Sequence, residues 1–243
     1  MCEKLVLMTS IAIYNTDTIP ESLARQHGQY PDMFMRAFAG FDCRLTFSRF
    51  DVNELDYPRS MKNIDGVLIT GSKSAAYDSD PWIHILQEHI RELVASRVPV
   101  VGICFGHQVI HQALGGRVQL AQGGWCVGTH ENQLVGADAL FGAEGEIFRL
   151  LSSHQDQVVK MAPEFELLAR TAYCPVAMTR LGRQVLTFQG HPEFTRDYAK
   201  ALMGRRVEAI GDINVARALE SLQQPLDDLL VLKWIAAFLR GSR

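Results

Sequence analysis

The 243-residue sequence has no run of residues that could cross a membrane, no basic surplus and no paired-cysteine spacing. Its longest strongly apolar stretch, Leu229–Leu239, is interrupted by Lys233 and falls well short of the ~20 residues that a spanning helix needs. Lys and Arg number 24 against 27 Asp and Glu, a net charge of −3, and the cations are scattered rather than striped, so no field for a phosphate backbone is expected. Five cysteines (Cys2, Cys43, Cys104, Cys126, Cys174) are an odd number without a Cys-x-x-Cys pair, which argues against a disulfide framework and a zinc knuckle. Glu3 and Lys4 stand where a signal peptide would need an apolar core, and no small-residue cleavage site follows an apolar run. Repeats and low-complexity linkers are missing too. These absences lead to an expectation of a cytoplasmic protein with neither nucleic acid nor membrane as partner.

What is present is an ordinary globular composition, 47% hydrophobic and 21% charged, long enough to close a large core. The first 120 residues alternate short apolar runs with helical patterns, the signature of a mostly parallel sheet covered by helices on both faces. Strands are expected over Lys4–Thr9, Cys43–Phe50, Gly66–Thr70 and Val98–Ile103. A helical region starts at Pro20, breaks near Pro31 and resumes to about Ala39. Asp80 and Pro81 read as an N-cap and first residue of a helix whose Ile83, Leu86, Ile90, Leu93 and Val94 fall at helical spacing. A further helix is expected from Gln108 to Leu114, ended by Gly115-Gly116. From about Arg117 to Phe188 the pattern shortens into strand-like pieces with glycine-rich turns, which predicts antiparallel additions to the same sheet. Val185–Gly190 reads as a strand. The last fifty residues are mostly helical, with a stripe through Leu226, Leu229, Leu230, Lys233, Trp234, Ala237 and Phe238. No domain boundary is expected: residues 1–243 form one domain, with a helical extension over about 195–243.

Between an apolar strand and a helix stands Gly102-Ile103-Cys104-Phe105-Gly106. In that context a Gly-x-nucleophile-x-Gly elbow makes physical sense. Glycines on both sides remove Cβ atoms where the turn is too tight for them, and the turn pushes the middle side chain toward solvent. The Cys104 sulfur would lie at a helix N-terminus, where the backbone dipole favours negative charge, and the N–H of Phe105 would point at the same spot. A cysteine nucleophile needs a base. His191-Pro192-Glu193 follows the Val185–Gly190 strand, and residues two apart in an extended segment share a face. Glu193 can therefore hold one imidazole nitrogen of His191 and leave the other to move a proton.

The elbow with Gln108 four residues on, the Ser152-Ser153-His154-Gln155-Asp156 segment, and Gly190-His191-Pro192-Glu193-Phe194, in this order, resemble the class I glutamine amidotransferases. Within that superfamily they resemble the stand-alone GMP synthase-like branch that includes γ-glutamyl peptidases. The resemblance covers roughly residues 60 to 194. It implies an open, mostly parallel flavodoxin-like α/β sheet with extra antiparallel strands and C-terminal helices. It also implies a Cys104–His191–Glu193 triad that cleaves a γ-glutamyl amide through a thioester. Gly71 and Phe105 would supply the oxyanion-hole N–H groups, and Gln108, Ser153, Gln155 and Asp156 would bind the glutamyl group. A glycine is usual in several amidotransferases where Gln155 stands, so this segment binds through either side chains or backbone.

Two rival motifs carry less. His107 and His111 are one helical turn apart, but Gln108 occupies the position of a metalloprotease glutamate and no third ligand stands at metal spacing. Gly66 to Ser74 is a near miss for a phosphate loop, with a strand core where a glycine-rich cradle belongs. No metal and no cofactor are expected, and Lys73 reads as a solvated loop charge that could meet a substrate carboxylate. His27, His84, His89 and His130 have no companion motif. Three roles remain open on the sequence: a free-standing γ-glutamyl hydrolase, which the subgroup resemblance favours; a glutaminase subunit feeding ammonia to a separate synthetase or ligase; and a non-catalytic relative.

Overall fold

A computed structural model describes residues 8–42 and 44–241. One nine-stranded sheet organises them, in the order β2-β1-β3-β4-β11-β10-β9-β6-β7. Its parallel half is β1 (Thr9–Asn15), β2 (Leu45–Asp51), β3 (Gly66–Ile69), β4 (Val100–Ile103) and β11 (Val185–Phe188). The antiparallel half is β10 (Met178–Leu181), β9 (Glu166–Arg170), β6 (Cys126–Leu134) and β7 (Ile147–His154). The expected antiparallel additions are thus present. Two of the short pieces, β5 (Arg117–Leu120) and β8 (Asp156–Lys160), pair instead with each other as a separate ribbon.

Period-2 alternation in β1 shows why helices cover both faces. Ile11 and Ile13 join one apolar cluster with Phe34 and Phe38 of α2 (Tyr30–Ala39) and with Val231, Ile235 and Leu239 of α8 (Asp228–Gly241). Ala12 and Tyr14 point the other way, into a cluster with Ile83, Leu86 and Ile90 of α3 (Pro81–Ala95) and Val109 and Ile110 of α4 (Phe105–Ala113). A third cluster joins α1 (Glu21–His27) to α5 (Arg196–Gly204), α6 (Val207–Ile210) and α7 (Asp212–Ser221) over the end of β7. Each fully buried Leu, Ile, Val or Phe contributes about 1.5–3 kcal/mol. No helix among the described residues is long and apolar enough to cross a membrane.

Several expected boundaries move. The first strand runs Thr9–Asn15, while residues 4–7 of the expected Lys4–Thr9 strand lie outside the described residues. Ile11 to Tyr14 are fully buried, and pairing with β2 on one side and β3 on the other extends the strand through them. The break between α1 and α2 falls at Gly28, three residues before Pro31, which is tolerated in the first turn of α2. Asp80 occupies the N-cap of α3, but its side chain makes no capping hydrogen bond; only its backbone carbonyl accepts, from Ile83 N–H at 3.0 Å. Helix α4 starts at Phe105, immediately after the elbow, rather than at Gln108. In α8 the expected stripe is rotated: Leu229 and Leu230 are exposed, and Val231, Leu232, Ile235 and Leu239 are buried with Trp234 and Phe238. That helix is apolar on more than one side, so the sheet and α2 decide which face goes in.

Candidate active site

The strands β3, β4 and β11 are adjacent and parallel, so their C-terminal ends open on one edge of the sheet, the usual ligand edge of such folds. Gly71 follows β3, Cys104 follows β4, and His191 lies three residues beyond β11. The elbow holds the backbone of Cys104 at φ +54° and ψ −103°, a conformation that L side chains rarely adopt. Its N–H is tied to the carbonyl of Phe188 at 2.8 Å. The flanking glycines have a steric cause. A Cβ on Gly102 would lie 2.6 Å from the Gly106 backbone, and one on Gly106 would collide with the Ile69 carbonyl oxygen. Strand and helix could not approach this closely with side chains there.

Cys104 is not pushed into open solvent as the sequence suggests. It is buried, 5% exposed, because the elbow opens onto a cleft rather than onto the surface. Ser72, Lys73, Ser74, Gln108, Trp125, Ser153, His154, Gln155, Asp156 and Arg206 line that cleft with it.

His191 is fixed from three directions. Its backbone N–H donates to the Leu151 carbonyl of β7 at 2.8 Å, which pins the segment after β11. Its Nδ1 donates to Glu193 Oε1 at 2.8 Å, with both side chains buried. The Phe194 ring stacks on the imidazole at 3.8 Å and 11°, and is itself packed by Tyr198 of α5 at 4.6 Å. A Cβ on Gly71 would sit 3.0 Å from His191 Cε1 and 3.7 Å from Cys104 Cβ, so the three residues surround one point. Burial opposes the charge on His191. The Glu193 carboxylate, then charge and hydrogen-bond interactions with Cys104, outweigh it and push the imidazole up to about 10. The imidazole therefore carries its proton at neutral pH and faces sulfur on one side and carboxylate on the other.

Phe105 opens α4, so its N–H is one of the helix donors with no partner inside the helix. Gln108 is buried rather than on a helix surface; its Nε2 donates to the Asp156 carbonyl at 2.8 Å and to Gln189 Oε1 at 3.1 Å. Ser153 Oγ accepts from Arg206 Nη1 at 3.2 Å. Asp156 Oδ1 accepts from Tyr77 O–H at 2.8 Å. Partial burial raises the Asp156 pKa, with the Tyr77 hydrogen bond opposing and Asp78 reinforcing the shift. Gln155 lines the cleft, and its carbonyl accepts from Ala121 N–H. Thus Cys104, Gln108, Ser153, Gln155 and Asp156 share one cleft, with Gly71 and His191 beside Cys104, Phe105 next to it in the chain and Glu193 holding His191.

Three residues have a place here to which the sequence reading gives no role. Phe194 is the platform under His191. Trp125 walls the cleft. Arg206 lies with its guanidinium 5.4 Å from the Trp125 ring centroid, and no carboxylate pairs with it among the described residues, whereas Lys73 is paired to Asp17 at 3.1 Å. Arg206 comes from beyond the last motif, where no local pattern marks it.

His107 and His111 hydrogen-bond inward, to Thr187 at 2.7 Å and Thr179 at 2.9 Å. Burial, first of all, pushes both imidazoles down, His111 to about 4. No group of three or more His, Cys, Asp or Glu suited to a metal occurs among the described residues. His130, without a companion in sequence, contacts Cys126 Sγ at 3.3 Å.

A family model for glutamine amidotransferase class-I matches residues 25–206. A glutamine amidotransferase-like protein of Schizosaccharomyces pombe is 30% identical over 94% of this chain and 98% of its own. Gamma-glutamyl peptidase 4 of Arabidopsis thaliana is 32% identical over 73% of this chain and 72% of its own. The crystal structure of a glutamine amidotransferase from Thermotoga maritima superimposes with a TM-score of 0.75 at 17% identity, covering 96% of this chain and 98% of that one; this likeness is one of fold.

Proposed function

The chain belongs to the class I glutamine amidotransferase family, and from that premise we propose that it is a free-standing cysteine hydrolase of γ-glutamyl amide bonds. Cys104 is the nucleophile, His191 the proton carrier and Glu193 the residue that orients it. The observation that carries this reading is the buried His191, held by Glu193 at 2.8 Å and brought together with Gly71 beside a cysteine on a strained elbow. A packing cysteine needs neither the strain nor the partner.

In the first half, Cys104 passes its thiol proton to His191 and Sγ bonds to the γ-carbonyl carbon. The carbonyl oxygen becomes an oxyanion facing the N–H groups of Gly71 and Phe105, each worth ~3–4 kcal/mol if well aimed. The C–N bond then breaks as His191 gives its proton to the departing amine. In the second half, water adds to the thioester, His191 takes its proton, the C–S bond breaks and glutamate leaves. Gln108, Ser153, Gln155 and Asp156 line the space for the glutamyl group. Arg206, with no carboxylate of its own, suits the α-carboxylate. We also take residues 1–243 as a single working domain, since α8 lies in the same apolar cluster as β1, β3 and β4.

Purified protein alone, given glutamine and a panel of γ-glutamyl dipeptides, tests the reading. Turnover of substituted amides well above that of glutamine supports it. Silence until a synthetase is added would identify an ammonia-delivering subunit, and silence throughout a non-catalytic relative.

A further inference from the structure

Beside the cleft lies a second cavity, of about 270 Å³, between β6 and α7. Trp125 belongs to both, so its indole is a shared wall. The β6–β7 register pairs Cys126 with His154 and Val127 with Ser153. The first residue of each pair lines the cavity and the second lines the cleft, so the two spaces adjoin along a pair of strands ~5 Å apart.

The remaining wall is chemically mixed. Tyr173 adds a second aromatic surface, and Arg217 of α7 is exposed, with neither ion pair nor hydrogen bond of its side chain among the described residues. Thr129 also lines the cavity. It is only 7% exposed, and its Oγ1 is buried without a hydrogen-bond partner, the condition of a polar group that a ligand would complete. Size points the same way. An ammonia leaving group needs roughly the ~30 Å³ of one water, and this cavity is about nine times larger.

We propose that this cavity is a leaving-group subsite for an amine that carries a carboxylate and an apolar or aromatic side chain, namely an amino acid or short peptide, with Arg217 pairing its carboxylate and Trp125 and Tyr173 contacting its side chain. The inference rests on the hydrolase reading above and deepens it. A γ-glutamyl amino acid has two carboxylates, and one guanidinium without an acid partner lies on each side of Trp125: Arg206 for the glutamyl end and Arg217 for the released end.

The test compares γ-glutamylphenylalanine with γ-glutamylphenethylamide, which keeps the ring and lacks the carboxylate, in the wild type and in Arg217→Gln. The wild type should prefer the carboxylate-bearing compound about tenfold or more in kcat/KM. Arg217→Gln should lose that preference through a raised KM and leave the phenethylamide unchanged, and Arg217→Lys should restore part of it. Equal use of the two compounds by the wild type, or an undiminished preference in Arg217→Gln, would overturn the subsite while leaving the hydrolase intact. Hydrolysis of glutamine with neither compound turned over would also overturn the subsite. No turnover of any γ-glutamyl amide would remove the hydrolase reading and the subsite with it.

Discussion

Cys104 with His191 and Cys126 with His130 both set a buried cysteine beside a histidine, and they differ in the groups that govern reactivity. Cys126 opens strand β6, where burial above all pushes its thiol up to about 12. Its neighbour His130 is held low by burial, and the one ring nitrogen that reaches the sulfur also meets the Val127 carbonyl at 3.0 Å. If that nitrogen donates to the carbonyl, it has no lone pair left for the thiol proton. Among the described residues no carboxylate holds the ring. Cys104 instead stands at the N-terminus of α4, and its histidine is raised by a buried glutamate. Proximity of a thiol and an imidazole is therefore not enough; the third group and the elbow make the difference.

The comparison breaks most sharply at the sulfur. Cys104→Ala should abolish turnover, a loss on the order of 10⁶-fold in kcat, and His191→Gln should cost nearly as much because such groups act as a unit. Steady-state assays decide it, and Cys126→Ala losing comparable activity would erase the distinction. His191→Gln also strands the buried Glu193 carboxylate, so denaturant unfolding should show it several kcal/mol less stable than the wild type.

Glu193→Gln should be milder, on the order of 10⁴-fold, since the residue orients rather than reacts. Its signature is the pH profile. With His191 raised to about 10, the protonated form persists through neutral pH, and activity that depends on it should fall as pH rises through that value. Removing the carboxylate removes the strongest influence raising the imidazole, so the alkaline limb should shift to lower pH; an unmoved limb would separate Glu193 from His191. The same raised pKa links to stability: the proton's contribution is complete below the unfolded value of about 6.5 and is lost as pH climbs through about 10.

The smallest effects sharpen the contrast from the other side. Cys126→Ala and Cys174→Ala should leave kcat on glutamine, whose leaving ammonia does not reach the cavity that Cys126 lines, within about twofold. They should lower stability by ~1–3 kcal/mol, as for any small buried side chain removed from a packed site. Thermal melts beside activity assays separate the two readouts.

Much of this was readable in the linear chain wherever the cause was local. The Gly102-x-Cys104-x-Gly106 elbow announces itself because strand, tight turn and helix follow one another within a few residues. His191 and Glu193 share a face because extended backbone alternates with period two. Ile83, Leu86, Ile90 and Leu93 fall on the buried side of α3 because a 3.6-residue period needs no partner to define it.

Tertiary structure alone decided the rest. Arg206 and Trp125 meet across some eighty positions, Phe194 becomes a platform only once α5 closes over it, and Arg217 reaches a cavity that exists only when α7 packs beside β6. Whether Leu230 or Val231 goes inside, and whether a cysteine is a reagent or a piece of core, depends on which surfaces and charges the folded chain brings from afar. Sequence patterns report the periodicity of a backbone with itself, whereas burial, desolvation and electrostatic pairing are properties of the neighbours that folding supplies.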